Sequence, residues 1–351
     1  MEQRQLGASG LRVSALTLGT MTFGGKGNFA NVGNTGVEGA RKQIDRCLEA
    51  GVTLIDTADV YSDGASEEIV GQALGDRRDH VLLASKVRFS MGPGANDAGL
   101  SRQHVIAGCE ASLRRLGTDR LDLYQVHQWD GQTPIEETLA ALEHLVDSGK
   151  VRYVGCSNYT AWQMVKALGI AHARDLPAFV STQVYYSLQD RVIEHEILPA
   201  CLDQGLGVLV WSPLAGGLLS GKYRRGQQGP EGSRHLTEWS EPPIYDEDGL
   251  YDTIDVLAEV AEGHGVSAAQ VALAWLLRRP GISSLVVGAR TDEQLADNLA
   301  AAELELDDDA FERLEQVSRP PLPYPLWHQV AAASDRLGPA DRALLGPHLG
   351  D

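Results

Sequence analysis

Leu54-Ile-Asp-Thr-Ala-Asp-Val-Tyr61 ends an apolar run on an aspartate, Asp56, and sets a tyrosine, Tyr61, five residues further on in a loop. Two other short apolar runs end in the same way. Val81-Leu-Leu-Ala-Ser-Lys86 closes on a lysine and Leu121-Asp-Leu-Tyr-Gln-Val-His127 on a histidine. Each run has the length and continuity of a parallel strand buried on both faces. In a barrel of such strands the carboxyl ends converge on one face, where catalytic groups collect. An acid, a phenol, an ammonium and an imidazole delivered to successive strand ends therefore point to an enzyme site.

Working outward, strand-like runs recur at Ala15–Leu18, Thr53–Ala58, Val81–Val87, Leu121–His127, Tyr153–Asn158, Phe179–Tyr186, Gly207–Pro213 and Ser284–Gly288. Between them apolar residues fall at three-and-four spacing, as in Val105, Ile106, Cys109, Leu113 and Leu116 before Gly117. Pro134 stands where the start of a helix tolerates proline, and that helix runs toward Ser148-Gly149. Eight alternations of strand and helix predict the α/β class and a closed (β/α)8 TIM barrel with long loops at the C-terminal face. A chain of 351 residues is read as one domain, with the barrel over roughly 10–318. Three segments interrupt the alternation: 23–39, 224–249, and the tail 319–351 with its Pro-Pro-Leu-Pro-Tyr-Pro-Leu-Trp327 run. The last two are read either as covers over the pocket or as surface wrapping.

Composition narrows the function classes. A net charge of −18 disfavours nucleic acid and anionic membranes as partners, so an anionic ligand must be held by local groups. Cys47, Cys109, Cys156 and Cys201 are scattered without a CxxC pair or metal-ligand spacing, and read as reduced, buried thiols. With no N-terminal signal pattern and no apolar run of spanning length, a cytoplasmic location is expected. Gly25-Lys-Gly27-Asn-Phe-Ala30 satisfies the letters of a dinucleotide fingerprint. The residues after it, Asn31 to Gly36, cannot open the helix that a pyrophosphate would need. No P-loop, GxSxG elbow or HExxH is present.

The four polar residues suit carbonyl chemistry. A phenol ordinarily titrates near ~10, and a neighbouring ammonium favours its phenolate. Lys86 would supply that ammonium, Asp56 would hold it in place, and His127 would donate a hydrogen bond to a developing alkoxide. Tyr61 would pass a proton to the carbonyl oxygen while hydride comes from a cofactor, because no side chain delivers hydride.

In this order and spacing the chain resembles the aldo-keto reductase superfamily, from Leu16-Thr-Leu-Gly-Thr-Met-Thr-Phe-Gly24 to Asn298. The resemblance implies that Asp56, Tyr61, Lys86 and His127 form a catalytic tetrad and that the cofactor is NADPH. It places Gly19, Thr20 and Met21 beside the cofactor, with Ser157, Asn158 and Gln183 on the nicotinamide carboxamide and Trp211 stacked on the ring. Ser212-Pro-Leu-Ala-Gly-Gly-Leu-Leu-Ser-Gly-Lys222 brings Ser212, Leu214, Gly216 and Lys222, whose backbone amides and single ammonium suit a pyrophosphate. At the adenosine end Gly288 admits close approach and Gln294 and Asn298 share one helical face. Arg290 there can pair bidentately with a 2′-phosphate. Gly288-Ala-Arg290 departs from the family's smaller monomeric branch, which usually carries lysine and serine where Gly288 and Ala289 stand. Phe23, Phe89 and Trp129, with Met21, are expected to line the substrate pocket. A small-molecule aldehyde or ketone is the implied partner, and the residues choose neither a particular carbonyl nor an oligomeric state. The same fold also serves nucleotide-sensing channel subunits with little turnover, and that reading stays beside the reductase. A metal-dependent hydrolase finds no His and Asp cluster to support it.

Overall fold

A computed structural model describes residues 1–227, 229 and 241–349 of the chain. Its centre is a closed barrel of parallel strands in the order β10-β3-β4-β5-β6-β7-β8-β9. These are β3 (Leu16–Gly19), β4 (Leu54–Asp56), β5 (Leu82–Val87), β6 (Leu121–Val126), β7 (Val151–Ser157), β8 (Ser181–Tyr185), β9 (Gly207–Trp211) and β10 (Ile282–Val287). The (β/α)8 architecture expected from the alternation is present.

Two apolar populations hold it together. One lies between the strands and the helices α1 (Val37–Glu49), α2 (Ala65–Leu74), α3 (Arg102–Leu116), α4 (Ile135–Asp147), α5 (Ala161–Ala173) and α6 (Ile197–Gln204). The other fills the barrel interior: Leu54, Ala84, Leu123 and Leu209, with Leu6 and Val13. Leu6 and Val13 belong to an N-terminal antiparallel hairpin, β1 (Gln3–Gln5) and β2 (Arg12–Ser14), that stops the amino-terminal mouth. Its strands are three residues each and read Gln-Arg-Gln and Arg-Val-Ser, too short and polar for a periodicity signal.

That interior cluster decides where the polar residues go. Successive strand residues face opposite sides of a sheet, so residues two apart share a face. Asp56, Lys86, Gln125 and Trp211 each lie two residues after a member of the cluster, and so face the interior one layer nearer the carboxyl end. Register completes the ring: Gly19 pairs with Asp56, Lys86 with Gln125, and Ser157 with Gln183.

After β9 the chain inserts α7 (Glu247–His264) before α8 (Ala268–Leu277), and after β10 adds α9 (Asp292–Ala300) and α10 (Asp308–Ser318). Helix α8 is buried on nearly all faces, which accounts for its almost wholly apolar sequence. The guanidiniums of Arg191 and Arg279 stand 5.0 and 5.1 Å from the ring centre of its Trp275. Those two arginines pair with the buried Glu194 and Glu315, which ties the loop after β8 to α10.

The described residues of the tail lie against the barrel's flank. They form α11 (Leu326–Ala332) and α12 (Pro339–Leu345); α12 packs on α6 through buried Leu344 and Leu345. No described residue beyond Asn298 lines the central cavity. The expectation for 224–249 falls largely on residues 228 and 230–240, outside those described. At its described end Asp246 caps α7 by accepting from the Gly249 N–H, and Glu241 reaches the cavity wall. No described helix is long and apolar enough to cross a membrane. All four cysteines are buried and unpaired.

Candidate active site

A cavity of about 1020 Å³ opens at the carboxyl ends of the strands and runs from Tyr61 and His127 to Gln294 and Asn298. Its deepest group is Asp56. One carboxylate oxygen accepts from Lys86 Nζ at 2.5 Å; the other accepts from Gln183 Nε2 at 2.8 Å and Gln125 Nε2 at 3.3 Å. Lys86 also donates to the Thr57 carbonyl at 2.9 Å and to Tyr61 Oη at 3.2 Å. Lys86 and Asp56 are buried, and a charge pair without water persists only when its hydrogen bonds are met in this way.

Tyr61 is carried on the turn after β4, where Ser62 and Asp63 take left-handed conformations at φ 51° and 56°. The Tyr61 ring meets His127 edge-on at 5.9 Å, and His127 meets Phe89 at 4.9 Å. Burial raises the Tyr61 phenol above its ordinary value, and the pull of Lys86 in the other direction does not overcome it. At neutral pH Tyr61 is therefore a phenol, the form that can give a proton. Burial alone would strip Lys86 of its proton, yet Asp56 and Tyr61 together carry its pKa upward. Burial, with Lys86 and Arg88 nearby, holds His127 well below its ordinary value, so the ring is neutral and a donor through one N–H. Its Nδ1 is buried with no protein partner.

The neighbouring strands supply a second wall. Asn158 sits at φ 56°, a left-handed conformation that asparagine tolerates better than most residues. Its Oδ1 accepts from Trp211 Nε1 at 3.0 Å while its Nδ2 donates to the His127 carbonyl at 3.1 Å. Ser157 Oγ donates to the Gln183 carbonyl at 2.9 Å, and Thr20 Oγ1 to the Asp56 carbonyl at 3.0 Å. The rim around Tyr61 is therefore cross-linked from β3 to β9. The cofactor-side residues named from the sequence, Gly19, Thr20, Met21, Ser157, Asn158, Gln183, Trp211, Ser212, Leu214, Gly216, Lys222, Gly288, Arg290, Gln294 and Asn298, all line this one cavity.

A dinucleotide fits that lining. Gly216 and Gly217 are left-handed at φ 64° and 98°, and a side chain on Gly217 would stand 3.2 Å from Lys222 Nζ, so the ammonium lies against bare backbone. The Gly216 and Gly217 N–H groups are spent within the turn, on Ser212 Oγ and the Leu214 carbonyl at 2.9 Å each, so the cation is what this stretch offers an anion. A side chain on Gly288 would stand 3.3 Å from the Gly19 carbonyl, a tight contact, so glycine leaves that end of the cleft roomier.

Two expected pocket residues lie elsewhere. Phe23 is fully buried in the shell between strands and helices, because β3 ends at Gly19 and the chain turns back through a Phe23 N–H to Thr20 carbonyl bond. Trp129 is half-buried and packs edge-on against Tyr159 at 5.2 Å and Trp162 at 5.6 Å, away from the cavity lining. Phe89 does line it. The aromatic wall facing Tyr61 is instead Phe29, whose ring stands 5.4 Å from the tyrosine ring, with Asn28 beside it. Both sit in an irregular loop with no periodicity to announce them. Gln125 was legible, since it shares the inward face of β6 two residues before His127.

Behind Tyr61 lies a second acidic layer. Asp59 is fully buried; one carboxyl oxygen accepts from the Val60 N–H at 2.7 Å and the other has no partner. Burial, reinforced by Glu67, pushes its pKa up to about 8. Glu67 is itself satisfied by Ser85 at 2.5 Å and Arg115 at 2.6 Å.

Residues 15–319 match the model of the aldo/keto reductase family. A relative from Arabidopsis thaliana named probable voltage-gated potassium channel subunit beta is 37 % identical over 336 residues, covering 92 % of this chain and 99 % of its own. The Bacillus subtilis protein named uncharacterized oxidoreductase YrpG is 38 % identical over 328 residues, covering 90 % and 96 %. A Schizosaccharomyces pombe protein named putative voltage-gated potassium channel subunit beta is 36 % identical over 310 residues, covering 86 % and 88 %. With its barrel closed and its polar ring drawn onto the carboxyl rim, the chain belongs to the aldo/keto reductase family.

Proposed function

We propose that this chain reduces an aldehyde or ketone to the alcohol, reversibly, with NADPH as the hydride donor. The observation that carries the reading is the buried chain Asp56, Lys86, Tyr61, with contacts of 2.5 and 3.2 Å, opening on a cavity beside a neutral His127. The cofactor would supply hydride to the carbonyl carbon; its nicotinamide would rest on Trp211 with its carboxamide toward Ser157, Asn158 and Gln183. Lys222 would hold the pyrophosphate where Gly216 leaves the cleft without a side chain, and Arg290, Gln294 and Asn298 the adenosine end.

The chain's own groups do the rest. Tyr61 and His127 fix the substrate oxygen between a phenol O–H and an imidazole N–H, so the negative charge that develops on it meets aligned donors in a water-poor site. The proton passes from Tyr61 to that oxygen. Lys86 stabilises the phenolate left behind, and Asp56 with its two glutamine donors keeps the ammonium from moving. In the oxidative direction the same phenolate takes the proton back. Phe29 and Phe89 give the pocket apolar walls and leave the carbonyl's substituents otherwise undefined. The partner is a small molecule, and the four buried free thiols suit a reducing, cytoplasmic compartment.

A second reading, a nicotinamide-sensing regulatory subunit with little turnover, draws its support from the relatives named as channel subunits. Loss of NADPH absorbance with a panel of aldehydes and ketones, run beside Tyr61→Phe, separates the two. Turnover that disappears in the variant while cofactor binding persists supports the reductase; binding without turnover in either protein favours the sensor.

A further inference from the structure

Arg290 lies at the adenosine end of the cavity, yet its guanidinium reaches toward the substrate side. Its Nε donates to the Val32 carbonyl at 3.0 Å and its Nη2 to the Asn31 carbonyl at 3.2 Å. Its own backbone N–H is fixed by Gln294 Oε1 at 3.0 Å. The two carbonyls belong to a tightly bonded turn: the Ala30 N–H donates to the Gly27 carbonyl at 3.2 Å and the Val32 N–H to the Phe29 carbonyl at 3.0 Å. Phe29 is the ring that stands edge-on to Tyr61, and Asn28 and Phe29 line the cavity.

The base of this loop is anchored without Arg290. Gly24 and Thr35 are joined at 3.1 Å, Thr35 bonds back to Thr22 at 3.1 Å, and the Gly25 N–H donates to Ser62 Oγ at 3.0 Å. Near its outer end the same guanidinium bridges two successive carbonyls, a fork geometry that a flexible ammonium cannot reproduce. Charge-assisted bonds of this kind are stronger than neutral ones.

We propose that Arg290 is a positioning residue for the carbonyl substrate: by bracketing the Asn31 and Val32 carbonyls it sets Phe29 against Tyr61. The kinetic part rests on the reductase reading given above; the conformational part does not. One side chain would then link the nucleotide end of the cleft to the wall that selects the substrate. NADH lacks the 2′-phosphate, so with NADH the pairing of Arg290 with that phosphate drops out of any effect on the carbonyl substrate.

Arg290 is exposed, so its substitution leaves the core intact. Amide hydrogen exchange is measured on cofactor-free parent, Arg290→Ala and Arg290→Lys. Both variants should exchange the amides of residues 29–33 about tenfold faster, because each loses the double bracket. NADH-driven reduction is then compared for a bulky aromatic and a small aliphatic aldehyde. Arg290→Ala should raise KM for the bulky substrate severalfold with little change in kcat. In a double-mutant cycle with Phe29→Ala the two effects should fail to add. Unchanged exchange in Arg290→Ala, or additive KM effects, would overturn the proposal. Faster exchange with an unaltered NADPH preference supports the bracket while removing Arg290 from the 2′-phosphate; an altered preference with unchanged exchange does the reverse.

Discussion

Asp59→Asn should make the protein more stable at neutral pH although it removes a buried polar group's native chemistry. The folded chain holds the Asp59 carboxyl at about 8 against an ordinary value of 3.8. An acid whose pKa is raised by folding binds its proton more tightly in the folded state, so its contribution to stability falls as pH rises from 3.8 toward 8. The slope is about 1.4 kcal/mol per pH unit, which comes to about 4 kcal/mol at pH 7. Asparagine is neutral in both states and escapes that cost. Its Oδ1 can still accept from the Val60 N–H, and its amide group takes the place of a carboxyl oxygen that already has no partner. A newly buried amide donor offsets about 1–3 kcal/mol of the gain. Urea unfolding of both proteins across pH 4 to 8 checks this, because the other carboxylates cancel in the difference. The stability difference should climb at about 1.4 kcal/mol per pH unit and level off above pH 8. A flat difference, or a variant less stable at pH 7, would refute the reasoning, since it would mean that Asp59 is ionised and satisfied in the folded chain. The same change bears on catalysis: an ionised Asp59 pushes the Tyr61 phenol further up, so the variant should reach its alkaline activity limb at lower pH.

Tyr61→Phe should lower carbonyl reduction by about 10²–10⁴-fold, the span of a lost general acid, with cofactor affinity retained by fluorescence titration. Asp56→Asn leaves the buried Lys86 ammonium without its counter-charge and should cost about 3–5 kcal/mol in urea unfolding, much of it recovered in Asp56→Asn with Lys86→Met. For pH dependence the sign follows from the groups. Tyr61 is raised above its ordinary value of 10.0, so reduction should hold through the neutral range and fall only on the alkaline side, whereas oxidation, which needs the phenolate, should climb with pH. His127 lies well below 6.5, so a loss of reduction on passing from pH 6 to 7 would instead make an imidazolium the proton donor and displace Tyr61 from that role.

What could be read from the sequence was whatever strand parity controls. Asp56, Lys86, Gln125 and Trp211 follow apolar interior residues by two, and a two-residue period needs no tertiary knowledge. Parity fails where the strand stops. Trp129 is two residues past His127, but β6 ends at Val126, and the ring swings to Tyr159 and Trp162. Phe23 follows Gly19 by four, but β3 ends at Gly19, and the turn back to Thr20 takes the ring into the shell. Phe29 had no such rule to reveal it, because it meets the Tyr61 ring from an irregular loop whose base is bonded to Ser62, in a distant part of the chain. The N-terminal hairpin escaped for a different reason: its Leu6 and Val13 act as a plug only once a barrel mouth exists to receive them.

The charge arrangement explains how an acidic chain can present a site to an anion. With a net charge of −18 the surface as a whole repels a dinucleotide. Around Tyr61, however, the acids are cancelled locally. Asp56 is paired with Lys86, Glu67 with Arg115, and Asp59 keeps its proton, while His127 stays neutral. The deep wall of the cavity is therefore close to electrically neutral, and the cations among its lining residues beyond Lys86's pair, Lys222 and Arg290, stand along the path a pyrophosphate and a 2′-phosphate would take. The unusual protonation of Asp59 fits the same arrangement. A second carboxylate behind Tyr61 would add negative charge where the reaction leaves a phenolate, and burial beside Glu67 keeps that carboxyl protonated below about 8, against the pull of Arg115 and Lys86.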